Sequence, residues 1–324
     1  MKAWFLLFRP WSYTATLAPF LVAAGMAVGE QLHGHWIHWT LGLLSGLLFQ
    51  ATVNLLNTWG DERSGVDDVP GAIRTTPQVH EGLVSMRAVL VAAIACATLA
   101  VLIGTALCLY RANGVWHVNY ALLGAGFIGF LGSTNYSTGI KFKYRGLGVP
   151  FVSFLMGPLE VFVAYALLDP LFARELPLLL LTCPPALLAY ILLTLPIAAL
   201  VGVVMHGNDM RDIPTDRKAG IVTLASRLGP KGALRYYRIC HTLPYGVNLC
   251  LVSIFLFRFG CFQWGFTGLW LPFLALPLSI RTMRVATRVY RSCPENPPWR
   301  RLERASGGIL LVYGVLYALS LALV

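Results

Sequence analysis

The sequence predicts an all-α polytopic membrane protein, nine transmembrane helices in one bundle. Three observations carry this: 57% of the 324 residues are hydrophobic, only 12% are charged, and the mean hydropathy is +0.67. That much apolar surface exceeds what a water-soluble core can hide, so the solvent of most side chains is lipid. A spanning helix needs about 20 mainly apolar residues, and nine stretches qualify: 13–29, 36–58, 84–108, 116–135, 148–168, 177–204, 236–257, 264–280 and 307–323. Pro10 and Pro19 flank the apolar part of the first and no small-residue cleavage site follows, so it is expected to remain in the chain. Pro184, Pro185 and Pro196 should bend the long sixth stretch, and the small residues Gly42/Gly46 and Gly126/Gly129/Gly132 should let helices approach closely. No linker or hydrophilic segment divides residues 1–324, which read as a single membrane domain.

Charge tests the count, because loops alternate sides and Lys and Arg concentrate in the cytoplasm. With the N-terminus inside, 22 of the 25 basic residues fall on the cytoplasmic side, leaving Arg111, Arg174 and Arg258. The net charge of +11 then reflects topology and contact with anionic headgroups rather than nucleic-acid binding. The seven cysteines show no CxxC or Cys/His metal spacing. The imidazoles of His33, His35 and His38 lie on the side opposite the acids and read as an interfacial loop.

Seven of the fourteen acids fall in two short segments on that cytoplasmic side: Asp61, Glu62, Asp67 and Asp68 after the second stretch, and Asp209, Asp212 and Asp216 after the sixth. Asn54, Asn57 and Asp61 stand at i, i+3 and i+7, a single helical stripe; Asn208, Asp212 and Asp216 repeat every four residues and form another, with Pro214 expected to end regular helix before Asp216. Converging carboxylates beside lipid repel one another and need a cation. Oxygen donors without Cys or His suit a hard ion, and Mg²⁺ typically takes one or two carboxylates while substrate phosphate completes its shell. That chemistry points to a diphosphate. Arg63, Arg74, Lys141, Lys143, Arg145 and Arg211 share the face and could grip its oxygens as it leaves. Glu62, Asp68, Glu81, Glu295 and Glu303 read instead as solvated loop charges, and the basic run Arg281–Arg304 as a lipid-facing loop.

At these residues the chain resembles the UbiA superfamily of intramembrane aromatic prenyltransferases, and within it the menaquinone branch. Four ordered blocks carry the resemblance: Arg9-Pro-Trp-Ser-Tyr with Pro19; Asn54 through Asp61 with Gly65-Val-Asp67; Tyr136 through Tyr144 with Gly148 and Gly157-Pro158; and Asn208-Asp209-Met-Arg211-Asp212 through Asp216-Arg217 to Gly229. Bacterial relatives often carry Asn-Asp where this chain has Asn57-Thr58, whereas the animal enzyme of the branch, which makes a short-chain menaquinone, is similar in having Asn-Thr. Asp209 stands where the branch usually has Asn.

The resemblance implies nine transmembrane helices in one bundle around a central cavity open to the bilayer, and transfer of an isoprenoid from a prenyl diphosphate to an aromatic acceptor, 1,4-dihydroxy-2-naphthoate or a related naphthoquinol, in menaquinone biosynthesis. It implies catalytic Asp61, Asp67, Asp212 and Asp216, which would hold Mg²⁺ with the help of Asn57 and Asn208. Lys143, Arg145 and Arg74 would stabilise the departing diphosphate, and Arg9, Asn54, Tyr136 and His206 would contact acceptor or donor. Tyr13, Trp59 and Phe142 are candidates to shield an allylic cation through their π faces. The nearest alternatives are branches of the same superfamily that prenylate hydroxybenzoate, homogentisate, haem or glyceryl phosphate. An ion-coupled transporter would line the midplane with acids, and here only Glu160 lies deep in a helix.

Overall fold

A computed structural model describes residues 2–64, 79, 81–112, 115–136, 139–218, 220–259 and 268–324. A short helix α1 (Lys2–Phe8) and a 3₁₀ turn (Pro10–Tyr13) lead into α2 (Thr14–Gly29), followed by α3 (Trp36–Ser64) and α4 (Met86–Leu107). A small antiparallel hairpin, β1 (Leu109–Ala112) and β2 (Val115–Val118), precedes α5 (Tyr120–Asn135). Helix α6 (Gly148–Phe154) passes through a π-helical turn (Leu155–Leu159) into α7 (Glu160–Leu168). Then come α8 (Pro170–Thr182), α9 (Pro184–Lys218), α10 (Leu224–Phe259), α11 (Leu276–Ser292) and α12 (Leu302–Ala322).

The molecule is a helical membrane protein, as the hydropathy predicts. Seven spans are long and apolar enough to cross a bilayer among the described residues. Of the nine expected stretches, the fourth is covered by α5, 16 residues long. The eighth falls partly outside the described residues and runs into α11, whose Arg281, Arg284, Arg288 and Arg291 make it amphipathic rather than uniformly apolar. The sixth stretch does not bend so much as break: α8 ends at Thr182 and Pro184 opens α9, the position where a missing N–H costs nothing. Pro214, expected to stop the helix, lies inside α9, which continues to Lys218. Helix α10 is two segments meeting at Gly229, whose φ of 66° turns the chain.

Large apolar side chains such as Phe257, Leu181 and Ile37 face outward at 94%, 85% and 77% exposure, the inverse of a water-soluble protein and the surface that lipid covers. The main core joins α2, α7, α9 and α12 around Phe20, Tyr165, Leu200, Tyr313 and Tyr317; a second core around Met210, Tyr237 and Trp299 ties α9 to α10, α11 and the start of α12. Small residues make the α2–α12 seam possible: a Cβ on Gly25 would lie 2.2 Å from the Ala318 carbonyl oxygen. Gly42 and Gly46 meet Leu167 and Thr16 in the same way, as expected, and Gly132 packs on Leu155 and Phe151. Gly126 and Gly129 do not: a Cβ on either would find nothing within 4 Å, because they face an open cavity rather than a neighbouring helix.

Candidate active site

The bundle encloses a cavity of about 870 Å³. One end is polar. There α3 delivers Asn57 near its C-terminus, α9 delivers Asn208, Asp209, Arg211 and Asp212, and the start of α12 delivers Arg301, Glu303 and Arg304, with Arg300 just before them. Arg9 enters ahead of α2, and Tyr136 and Lys143 enter between α5 and α6. The remainder is mainly apolar, running past Phe20, Gly42, Gly46, Leu122 and Leu167.

Local geometry explains these placements. Arg9 adopts a left-handed backbone (φ 49°), which carries its side chain to Thr58, whose Oγ1 accepts from Nη2 at 3.4 Å while donating to the Asn54 carbonyl. Thr58 is fully buried and serves this contact. Asn54 lines the cavity, but its amide donates to the Phe8 carbonyl and to Ser12 Oγ, both at 2.8 Å, so it ties α3 to the N-terminal segment. Lys143 follows Lys141, another left-handed residue, and its N–H bonds back to the Tyr136 carbonyl at 3.0 Å.

On α9, Arg211 clasps its neighbour Asp212 in a fork, Nε to Oδ1 and Nη2 to Oδ2 both at 2.7 Å, and reaches Glu303 at 3.5 Å. Arg211, expected as a free diphosphate ligand, is thus engaged by carboxylates, and Glu303, expected as a solvated loop charge, is buried against it. Asp209 is buried on the cavity wall within electrostatic reach of Lys143 and Arg211 and of Asp212 and Asp216.

Several expected residues stand elsewhere. Asp216 does not line the cavity; it is buried at the α9–α10 elbow, where its Oδ2 accepts from Thr223 Oγ1 at 3.2 Å. His206 points away: its Nε2 pairs with the Ala233 carbonyl at 3.0 Å and its ring meets Tyr236 edge-on, because its face of α9 packs on α10. Lys141 and Arg145 are exposed outside the cavity wall. Arg63 lies over Trp59, and Phe142 stacks on Phe151; neither aromatic lines the cavity, nor does Tyr13, so all three act as packing groups. Asp67, Arg74 and the side chain of Asp61 lie outside what the structure describes.

Three cations were not expected here. Arg300, Arg301 and Arg304 line the polar end, with Arg304 over the Trp11 ring at 4.4 Å. Trp299 turns them inward: it is 2% exposed, and its Nε1 donates to the Ala286 carbonyl at 3.0 Å, pinning the loop to α11. The signal in the sequence is Pro297-Pro298-Trp299, an apolar anchor inside an otherwise basic loop.

The donor set at the polar end suits a hard cation, being amide and carboxylate oxygens; the one cysteine on the described cavity wall, Cys108, lies among the apolar lining at the end of α4. Among the described residues no three acids, histidines or cysteines form a complete chelating cluster.

The UbiA prenyltransferase family model matches residues 16–302. The zebrafish (Danio rerio) UbiA prenyltransferase domain-containing protein 1 is 30% identical over 98% of this chain and 84% of its own length. The 1,4-dihydroxy-2-naphthoate octaprenyltransferase of Escherichia coli K12 is 29% identical over 96% of this chain and 92% of its own. Two solved structures share the fold: an apo UbiA homolog from Aeropyrum pernix K1 (TM-score 0.64, 15% identity, 94% of this chain and 96% of that one) and a UbiA homolog from Archaeoglobus fulgidus bound to GPP and Mg²⁺ (TM-score 0.57, 18% identity, 99% and 100%). With helices, polar-ended cavity and family match in agreement, the chain belongs to the UbiA prenyltransferase family and is a prenyltransferase that moves an isoprenoid onto an aromatic acceptor.

Proposed function

We propose that the acceptor is 1,4-dihydroxy-2-naphthoate or a related naphthoquinol, that the donor is a prenyl diphosphate, and that the reaction depends on Mg²⁺. The observation that carries the donor reading is the concentration of cations and oxygen donors at one end of an otherwise apolar cavity, which matches an amphiphile with a polyanionic head and a hydrocarbon tail. The acceptor reading rests on the naphthoate named for the Escherichia coli relative and on the motif variants. The charge asymmetry of the loops supports a cytoplasmic polar end.

Asn57, Asn208 and Asp212, with Asp61 and Asp67 of the first motif, would hold the metal; Asp216, bonded to Thr223 off the cavity wall, would brace the α9–α10 elbow instead. When bound, Mg²⁺ neutralises diphosphate charge and makes the group a better leaving group. Lys143, Arg300, Arg301 and Arg304 bind the diphosphate oxygens, and their fixed charge stabilises the anion that grows as the allylic C–O bond breaks. Arg211 orients Asp212 through the two-point clasp. The apolar walls hold the tail and keep water from the allylic carbon. The electron-rich ring carbon supplies the pair for the new C–C bond, and the naphthoate carboxylate leaves as CO₂.

Purified protein supplied with Mg²⁺, a prenyl diphosphate and 1,4-dihydroxy-2-naphthoate, menadiol or 4-hydroxybenzoate tests this. We expect prenylated naphthoquinol, and chelation should abolish both turnover and donor binding measured by calorimetry. Prenylated hydroxybenzoate without naphthoquinol product would refute the acceptor, and full turnover in chelator would refute the metal.

A further inference from the structure

Glu160 is the carboxylate that the mechanism leaves unused. It lines the cavity, its Oε2 is sealed from solvent with no hydrogen bond, and Thr16 is the polar side chain that interacts with it. Its neighbours are otherwise apolar or small: an ideal Cβ on Gly46 would lie 3.4 Å from Glu160 Oε1 and 3.6 Å from the Phe20 ring. Orphan polar groups in a membrane interior are costly and mark function more often than packing.

The backbone presents Glu160 deliberately. It follows directly on the π-helical turn Leu155–Leu159, whose wide loop re-aims the next residues, and Tyr190 Oη donates to the Pro158 carbonyl within that turn. Without the turn, a residue at this point of the helix would face a different side.

Two helices measure its depth. Gly46, beside Glu160, lies eleven residues along α3 from Asn57, about 16 Å at the helical rise of 1.5 Å. Gly157 packs on Ala198 and Gly202 on Ser153, so α6–α7 runs antiparallel to α9. Glu160 thus lies level with residues near 195, about 20 Å below Asn208 on the same rise. Beyond Glu160 the cavity continues past Gly42 and Leu167 to Leu107, Cys108 and Leu122. An isoprene unit spans roughly 5 Å with carbon–carbon bonds of about 1.5 Å, so a diphosphate held at the polar end places its third or fourth unit against Glu160.

We propose that Glu160, with Thr16, is a polar stop that limits the length of prenyl tail the cavity accepts. A tail ending short of it leaves room for water to solvate the carboxyl group. A longer one displaces that water and leaves the carboxyl facing hydrocarbon, in either protonation state, a penalty worth roughly ten-fold or more in affinity. This inference rests on the donor reading of the cavity given above.

The test uses the full-length protein in nanodiscs with a fixed acceptor and geranyl, farnesyl, geranylgeranyl and octaprenyl diphosphates, reading kcat/KM for each. The native enzyme should fall by about ten-fold or more between the geranylgeranyl and octaprenyl donors. Glu160→Leu and Glu160→Met should flatten that step with little change for farnesyl, while Glu160→Gln, still polar, should keep it. A native profile flat across all lengths overturns the proposal. So does an unchanged step in active apolar variants, or a rise confined to the acceptor KM, which would assign Glu160 to the aromatic ring. If no donor of any length is turned over or bound, it is the prenyl-donor reading itself that fails; if the apolar variants do not fold, the native step together with the Gln variant decides the matter.

Discussion

The two ends of the cavity are made of opposite materials. At the polar end, five arginines, a lysine and at least three carboxylates crowd together, nearly all supplied by helix termini or loops: the C-terminal parts of α3 and α9, the first turn of α12, and the left-handed residues Arg9 and Arg301. Toward the other end the walls come from helix interiors and are aromatic, aliphatic or glycine, with Glu160 the conspicuous departure. Charge is affordable where helices end, because water and the free backbone groups of the termini share the cost; within a helix in lipid, each polar group must find its own partner. A polar group at a terminus is therefore weak testimony to function, and one left unpartnered in an interior is strong.

This contrast can be broken at the polar end first. Asp212→Ala should lower turnover by about 100-fold or more for every donor length alike, since it removes a metal-side carboxylate and leaves the Arg211 guanidinium without its closest partner. A loss that depended on tail length would erase the distinction between the ends. Arg304→Ala should act more mildly, raising donor KM by roughly ten-fold while kcat changes little, because several other cations remain to hold the diphosphate. An unchanged KM would remove Arg304 from the donor site.

The smallest effect concerns glycines rather than charges. Gly25→Ala should lower thermal stability in detergent by about 1–3 kcal/mol, as its methyl meets a backbone carbonyl. Gly126→Ala should not lower it, since the cavity has space and alanine is the better helix former. The two changes having the same sign would refute the placement of α5 along the open wall.

Much of this was legible in the sequence because it depends on period and hydropathy. The stripes Asn54/Asn57 and Asn208/Asp212 do ride on single helices and reach one end of the bundle. What was not legible depends on which way a helix face turns. His206 and Asp212 differ by six residues on α9, and only packing against α10 decides that the first is sequestered and the second is not. Similarly, Arg300, Arg301 and Arg304 have the composition of any basic loop, and only the burial of Trp299 aims them inward. Glu160 was visible as a lone deep acid, but its orientation comes from a π-helical turn that no hydrophobic period announces.

The lengths of the two motif-bearing helices carry one more consequence. Helices α3 and α9, with 29 and 35 residues, are about 44 and 52 Å long, well beyond a hydrocarbon slab of about 30 Å. Both polar motifs stand on the overhang. A thinner or thicker membrane will slide its headgroup plane along these rods, tilting the bundle or adjusting the lipid at modest cost. The spacing of groups within each rod is fixed by the helix itself, so the separation on α3 between Asn57 at the polar end and Gly46, which packs beside Glu160, is a ruler that the surrounding bilayer does not rescale.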